Sequence, residues 1–183
     1  MAGAPLLLLV ALFSAESAFS PAARRAASVL FLACGLGLRL LALGAIDGCK
    51  KQVLVTWGPY RYVRHPLYCG SLLALMAFAA HIGSVATAIA GTGLFLALYL
   101  PAIRTEELFL ACRFADQWDS HQARTWALLP RPNRGGSDAA RPFSLRRPWR
   151  EMLVLVFLAT VILGSAELVL ELRQQQDLPD LFF

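Results

Sequence analysis

Four apolar stretches, separated by shorter polar segments, dominate the hydrophobic pattern of this chain. They cover residues 5–18, 26–46, 67–103 and 152–172. The second stretch holds a single charged side chain, Arg39, and as a helix it would extend roughly 31 Å, about one bilayer core. The third would extend roughly 55 Å, too long for one crossing. We therefore expect a helical hairpin that turns at residues 81–84, with His81 as an ordinary loop residue.

This pattern predicts an all-α fold, an integral membrane helical bundle with about five transmembrane helices. The composition agrees, because 57% hydrophobic and 16% charged residues are unusual for a soluble domain. No Lys or Arg precedes Leu6, so we expect a retained first helix and not a cleaved signal peptide. Residues 104–126 mix apolar and charged side chains at roughly helical spacing, which predicts a cytoplasmic amphipathic helix at the interface.

The expected organisation is a membrane domain followed by two shorter parts. Residues 1–130 would form the domain and residues 131–149 a basic linker rich in Pro, Gly, Ser and Arg. Residues 150–183 would add a C-terminal transmembrane helix and tail. The four cysteines show neither CxxC nor Cys/His spacing, so we expect no disulfide framework and no metal.

Positive charge follows the predicted topology. If residues 47–66 and 104–150 share one side, that side holds 13 of the 17 Lys and Arg residues. The positive-inside rule then places both segments in the cytoplasm, and the Arg-rich, Lys-poor composition suggests a bacterial inner membrane. A basic face suits anionic membrane lipids as partners. Because the charge forms no compact soluble module, nucleic acid is not expected as a partner.

A basic, aromatic segment, GPYRYVRHPLYCG at residues 58–70, precedes the third apolar stretch. Pro66 suits the first position of a helix, where its missing N–H would be unpaired anyway. The helix start favours an anion, with His65 at its mouth and Tyr68 one turn in. These residues alone leave two interpretations open, an anion site or an interfacial anchor of aromatic and basic side chains.

Glu106 and Glu107 follow the second limb of the hairpin. A hairpin returns its end to the surface where it began, so these carboxylates should lie beside His65 and Tyr68. A structural role stays open, because acidic residues are favoured in a first helical turn and Arg104 can pair with Glu107. An anion site, carboxylates for a cation and nearby rings would together suit a zwitterionic, ring-bearing cofactor.

Residues 64–68, the RHPLY segment, are followed some 40 residues later by EE. Together they resemble the RHPxYxG…EE signature of isoprenylcysteine carboxyl methyltransferases. Phospholipid N-methyltransferases and related bacterial proteins share that signature. The resemblance covers residues 35–130. It implies an enzyme that binds S-adenosyl-L-methionine at the cytoplasmic end of a helical membrane bundle and methylates a lipidic or prenylated acceptor.

The resemblance also implies which residues bind the cofactor: Arg64, His65, Pro66, Tyr68, Gly70, Glu106 and Glu107. We hypothesise that the helix start at His65 holds the methionine carboxylate and that Glu106 or Glu107 takes its ammonium group. Tyr68 would pack near the adenosine or sulfonium, and Gly70 would let the cofactor approach the backbone.

Candidate catalytic residues are Arg39 and Arg124, either of which would hold an acidic substrate. For Arg39, a paired structural charge within the membrane stays open as an alternative. Trp118 and His121 stand where the family has tyrosines, so we expect them at the substrate site. His121 as a base and His121 as an interfacial polar residue both stay open. Ala115 stands where glycine is usual.

Three other functions stay open on sequence alone: a lipid-amine N-methyltransferase, an NADPH-dependent membrane reductase and a non-catalytic membrane protein. Reductases of this kind resemble RHPNYxGE, whereas this chain has Leu67 and Ser71 in place of Asn and Glu and keeps the acidic pair. The methyl acceptor itself is not predicted.

Overall fold

The computed structural model describes residues 19–47 and 52–131, with scattered helical positions between residues 149 and 172. The continuous part contains α1 (Pro21–Ile46), a 3-10 helix (Gly58–Arg61), α2 (Pro66–Ile82) and α3 (Val85–Arg124). The prediction of an all-α fold is confirmed for these described residues. The predicted helix at residues 5–18 and the linker at residues 132–148 lie outside them, so the count of five spans stays a prediction.

Two helices in the described part of the chain are long and apolar enough to cross a membrane. They are α1, with 26 residues, and α3, with 40 residues; α2 is apolar but shorter. At 1.5 Å per residue, α1 extends about 39 Å and α3 about 60 Å. Because a bilayer core is about 30 Å thick, α3 is long enough to continue well beyond it.

The predicted hairpin is formed by α2 and α3, and it turns within residues 81–84. Gly83 ends α2 with φ 77°, a left-handed conformation that suits glycine at the end of a helix. Ser84 then caps α3, because its hydroxyl accepts from the Thr87 amide at 3.0 Å. The expectation of a loop position for His81 is wrong: it lies buried in the last turn of α2, with Nε2 3.0 Å from Glu167 Oε1.

Glycines bring α1 and α2 into close contact. A Cβ atom added at Gly70 would overlap the Arg39 side chain and lie 2.7 Å from the Gly35 carbonyl oxygen. A Cβ added at Gly35 would lie 2.8 Å from the Gly70 carbonyl oxygen. Small residues permit this approach of two backbones in a membrane bundle. The packing therefore fixes the position of Arg39 relative to the start of α2.

Replacing Gly70 with alanine is expected to destabilise the bundle by about 1–3 kcal/mol, because the added methyl group forces the helices apart. The measurement is thermal unfolding of detergent-purified protein. Gly37→Ala is the matched control on α1, since a Cβ there meets no described atom within 4 Å. That control should be neutral or stabilising, and an equal loss in both variants would contradict the packing argument.

The backbone of α3 has a break at Ala115, where φ is 36° and ψ is −113°. The segment predicted as a separate amphipathic helix is instead a continuation of α3 through Pro101, broken only at this residue. Beyond the break, Trp118 and His121 are buried and not exposed at the helix surface. A location of this segment at the membrane interface stays a prediction.

Replacing Ala115 with glycine should raise the free energy of unfolding by roughly 0.5–1 kcal/mol. An L residue at positive φ carries a steric penalty that glycine avoids, and this outweighs the extra entropy of glycine in the unfolded chain. Thermal unfolding in detergent checks the result. Ala111→Gly, at an ordinary helical position of α3, should lower stability by about 1 kcal/mol, and a loss at both positions would contradict strain at Ala115.

After α3, residues 125–131 fold back along the segment that precedes α2. Val63 and Trp126 form a parallel bridge. The Arg64 amide donates to the Trp126 carbonyl at 2.9 Å, and the His65 amide donates to the Ala127 carbonyl at 3.1 Å. This pairing holds the RHPLY segment against the end of α3.

Candidate functional site

A cavity of about 680 Å³ lies between the end of α1, the RHPLY segment and α3. Its size is typical of a small-molecule site. The lining side chains that carry polar groups are Arg39, Tyr60, Arg64, His65, Tyr68, Ser71, Tyr99, Glu106, Trp118 and His121. The purely apolar ones are Ile46, Val53, Leu54, Val55, Leu67, Phe109, Leu110 and Phe114. The wall thus combines both charge signs with several aromatic rings.

The structure brings the RHPLY segment and the acidic pair together. Glu107 Oε1 accepts a hydrogen bond from Arg64 Nε at 2.8 Å and lies 3.1 Å from His65 Nε2. The side chains of Arg64, Glu107 and His65 are 12%, 20% and 3% exposed. Because water screens them little, these charge-assisted contacts tie the start of α2 firmly to α3.

The two glutamates take different positions, although they are neighbours in sequence. Glu107 contacts Arg64 and His65, whereas Glu106 lines the cavity. The Glu106 Oε2 atom lies 3.7 Å from His65 Nδ1. With 48% of its side chain exposed, Glu106 can receive a cation from the cavity.

Arg64 is engaged within the protein. Besides the Glu107 contact, its Nη1 donates to the carbonyl oxygens of Gln122 and Thr125 at the end of α3. His65 faces carboxylates through both ring nitrogens. An anion at the start of α2 would therefore compete with Glu106 and Glu107 for these side chains.

The other predicted cofactor-binding residues in and just after the RHPLY segment are Pro66, Tyr68 and Gly70, and they take different positions. Pro66 occupies the first position of α2 and is fully buried. Tyr68 faces the cavity, with its ring centroid 5.7 Å from His65 and 5.3 Å from Tyr99. Gly70 instead contacts α1. Close packing against α1 therefore favours glycine at this position, and a role of Gly70 in the approach of a cofactor stays a prediction.

Arg39 reaches the cavity wall from within α1. Its Nη1 donates to the Leu67 carbonyl at 3.0 Å and to Ser71 Oγ at 2.6 Å. Ser71 in turn donates to the same carbonyl at 3.1 Å. Arg39 Nε is buried and has no hydrogen-bond partner among the described residues. The guanidinium is therefore fixed on one side and unsatisfied at Nε.

Tyr60 lies near both charge signs of the wall. Burial and the Glu106 carboxylate raise the pKa of its phenol far above the ordinary value, while the Arg39 guanidinium acts in the opposite direction. The phenol is therefore neutral, and it can donate or accept a hydrogen bond at this end of the cavity.

Trp118 and His121 form another part of the wall. Both are buried, and their rings meet edge to face with centroids 6.1 Å apart. Burial, together with electrostatic interactions with Arg64 and His65, lowers the pKa of His121 to about 4. His121 is therefore neutral near pH 7. Arg124 is exposed at the end of α3 and does not line the cavity.

Sequence reasoning missed three polar residues of the wall: Tyr60, Ser71 and Tyr99. Two had detectable signals. Tyr60 lies within the basic, aromatic segment itself, and Tyr99 is the polar side chain in an otherwise apolar run before Pro101. Ser71 was noted only as a departure from the reductase pattern, and its bond with Arg39 depends on the α1–α2 packing.

Comparisons with known proteins indicate the family of this chain. The phospholipid methyltransferase family model matches residues 26–117, half of the chain. The cobalt-zinc-cadmium resistance protein CzcN of Cupriavidus metallidurans is 38% identical over 111 residues, covering 57% of this chain and 51% of the relative. The nickel-cobalt-cadmium resistance protein NccN of Alcaligenes xylosoxydans is 35% identical over 86 residues, covering 47% and 40%.

This chain thus spans about half the length of the curated relatives it matches. No solved structure matches it. The family match includes most of α1, the RHPLY segment, α2 and the acidic pair. Two of the described helices are long and apolar enough to span a membrane. The chain is a membrane protein and belongs to the phospholipid methyltransferase family.

Proposed function

We propose that this chain is an S-adenosylmethionine-dependent methyltransferase that modifies a lipidic or amphipathic acceptor at the cytoplasmic membrane face. The observation that carries the proposal is the position of Glu106. It presents a carboxylate to a ring-lined cavity, while Glu107 fixes the adjoining motif through Arg64 and His65. The distribution of Lys and Arg supports the cytoplasmic orientation.

The residues present fit the cofactor. S-adenosylmethionine carries an ammonium group, a carboxylate, a sulfonium and an adenine ring, and when bound it supplies an electrophilic methyl group. Glu106 offers a counter-charge for a cation, and the rings of Tyr68 and Tyr99 offer surfaces for a sulfonium or adenine. The cavity volume is within the range of sites for such molecules.

The acceptor would bind toward the apolar wall. Phe109 and Val53 line the cavity and are also 46% and 37% exposed, so they lie at its opening. Trp118 and neutral His121 are further lining residues that carry polar ring nitrogens. These features suit an amphipathic acceptor, for which both isoprenylcysteine-like carboxyl methylation and lipid-amine methylation remain candidates. A carboxylate has no proton to lose, so only the second case needs a base, and the lowered pKa of His121 makes it a weak base for that step.

The names of the two relatives describe resistance to cobalt, zinc, cadmium and nickel. We propose that any such role of this chain is indirect and proceeds through the methylated membrane component. Comparing the metal tolerance of cells that express wild-type protein or Glu106→Gln tests this link. Equal tolerance in both, above that of cells without the protein, would contradict it.

Calorimetric binding to detergent-purified protein tests the proposed function. We expect saturable binding of S-adenosylhomocysteine and none of NADPH. Binding of NADPH alone would favour a reductase, and binding of neither would favour a non-catalytic protein. Mass spectrometry of lipid extracts, after incubation of membranes with methyl-labelled S-adenosylmethionine, then identifies the acceptor.

A further inference from the structure

Arg39 is a cavity-lining cation that no carboxylate of the described residues contacts. Its hydrogen-bond partners are a backbone carbonyl and a serine hydroxyl, both neutral. The neighbouring Arg64 differs, because it contacts the Glu107 carboxylate. Arg39 therefore brings a positive charge to the cavity that the surrounding protein does not neutralise by direct contact.

Such an arrangement is costly inside a membrane span. A charged side chain there is expected to have a partner or a function. A buried Nε without a hydrogen-bond partner is likewise unusual in a folded protein. The contact of Gly70 with the Arg39 stem and the bonds of Nη1 to Leu67 and Ser71 hold the guanidinium in place. The structure thus holds a cation at the cavity wall without an anionic partner among the described residues.

Glu106, Tyr60 and Arg39 line the same cavity. Both charged groups act electrostatically on the Tyr60 phenol, so Arg39 and Glu106 lie toward the same part of the cavity. The amino-acid end of a methionine derivative carries a carboxylate and an ammonium on one carbon atom. That pair of opposite charges matches this end of the cavity.

We infer that the Arg39 guanidinium binds the α-carboxylate of the methionine moiety of the cofactor, with Glu106 taking its α-ammonium group. The inference rests on the proposed function. It differs from the sequence-based hypothesis, in which His65 and the start of α2 hold the methionine carboxylate. Those groups already face Glu106 and Glu107. A guanidinium is well suited to the task, since its planar N–H groups match the geometry of a carboxylate.

The test compares two ligands that differ by the amino-acid group. S-adenosylhomocysteine carries it, whereas 5′-methylthioadenosine has the same nucleoside and sulfur without it. In Arg39→Met, we expect the affinity for S-adenosylhomocysteine to fall about tenfold to hundredfold, the range for losing a charged hydrogen bond. Binding of 5′-methylthioadenosine should change by less than about twofold, a minor effect beside that range. Calorimetry gives both affinities.

Arg24→Met is the matched control. Arg24 lies on the same helix, its Nη1 donates to the Ile82 carbonyl at 3.1 Å, and its Nε is also buried without a hydrogen-bond partner among the described residues. Fifteen residues separate it from Arg39, about 22 Å along α1. This variant should leave the ratio of the two affinities unchanged.

Binding of 5′-methylthioadenosine also reports that each variant is folded. If Arg39→Met loses it, Arg39→Lys provides the measurement, because lysine keeps the charge but not the planar fork. The ratio of affinities should still fall in that variant. An unchanged ratio in the variant that binds 5′-methylthioadenosine would overturn the inference. Wild-type protein that binds neither ligand would instead overturn the proposed function, so the two failures are distinguishable.

Discussion

Replacing Glu106 with glutamine is expected to weaken S-adenosylhomocysteine binding about tenfold to hundredfold while leaving the fold intact. The carboxylate lines the cavity and is half exposed, so its removal deprives a bound ammonium group of its counter-charge. Loss of a hydrogen bond to a charged group costs roughly 1.5–3 kcal/mol, which sets this range. Calorimetry on the detergent-purified variant measures the affinity, and thermal unfolding without ligand measures the fold.

Glu167→Gln serves as the control for this prediction. Glu167 also contacts a histidine, with Oε1 3.0 Å from His81 Nε2, and is 49% exposed, close to the exposure of Glu106. It pairs with the last turn of α2, at the opposite end of that helix from the site. Its substitution should leave the affinity unchanged. Wild-type affinity in Glu106→Gln would exclude the carboxylate as the ammonium ligand.

The meeting of the two motifs was predictable because it follows from chain length alone. An apolar stretch too long for one crossing must turn back, and a hairpin returns its end to its starting surface. Gly83 and Ser84, a helix end followed by a helix cap, mark the turn by ordinary local rules. Neither step requires knowledge of side-chain packing.

The separate roles of Glu106 and Glu107 were not predictable in the same way. Adjacent helical residues point about 100° apart, so one faces Arg64 and His65 when the other faces the cavity. Which one does so depends on the rotation of α3 against the start of α2. That rotation is set by tertiary contacts, including the bond from Arg64 to the Thr125 carbonyl beyond the break in α3.

Packing also explains why two small residues were interpreted incompletely. The family pattern marked Gly70 as a site residue and Ala115 as a departure from glycine. The structure places Gly70 against Arg39 and Gly35, where no side chain fits. Ala115 occupies a positive φ that favours glycine. Backbone geometry therefore accounts for the preference for glycine at both positions. Gly70 contacts Arg39, and Ala115 precedes Trp118 in α3; Arg39 and Trp118 both line the cavity.

Replacing Glu107 with glutamine is expected to produce the opposite pattern to Glu106→Gln. It removes the charge that partners Arg64 and His65, both largely buried. Leaving the Arg64 guanidinium without this partner should cost about 2–3 kcal/mol, or lower the unfolding midpoint by roughly 5–10 °C. Thermal unfolding in detergent measures the midpoint. At one fixed S-adenosylhomocysteine concentration, the ligand should raise the midpoint of this variant about as much as that of the wild type, because Glu106 remains, and it should raise the midpoint of Glu106→Gln less.

A double-mutant cycle with Arg64→Met separates the ion pair from other effects of Glu107. Arg64 also binds the carbonyls of Gln122 and Thr125, so Arg64→Met alone should be the more damaging single change. If the pair is the main role of Glu107, the double variant should be more stable than the sum of the two losses predicts, by at least about 1 kcal/mol. Strict additivity of the two losses would contradict a structural role for this ion pair. A Glu107→Gln protein of normal stability that no longer responds to the ligand would do the same, and it would show that Glu107 binds the ligand. The two neighbouring glutamates thus give distinct signatures, one in affinity and one in stability.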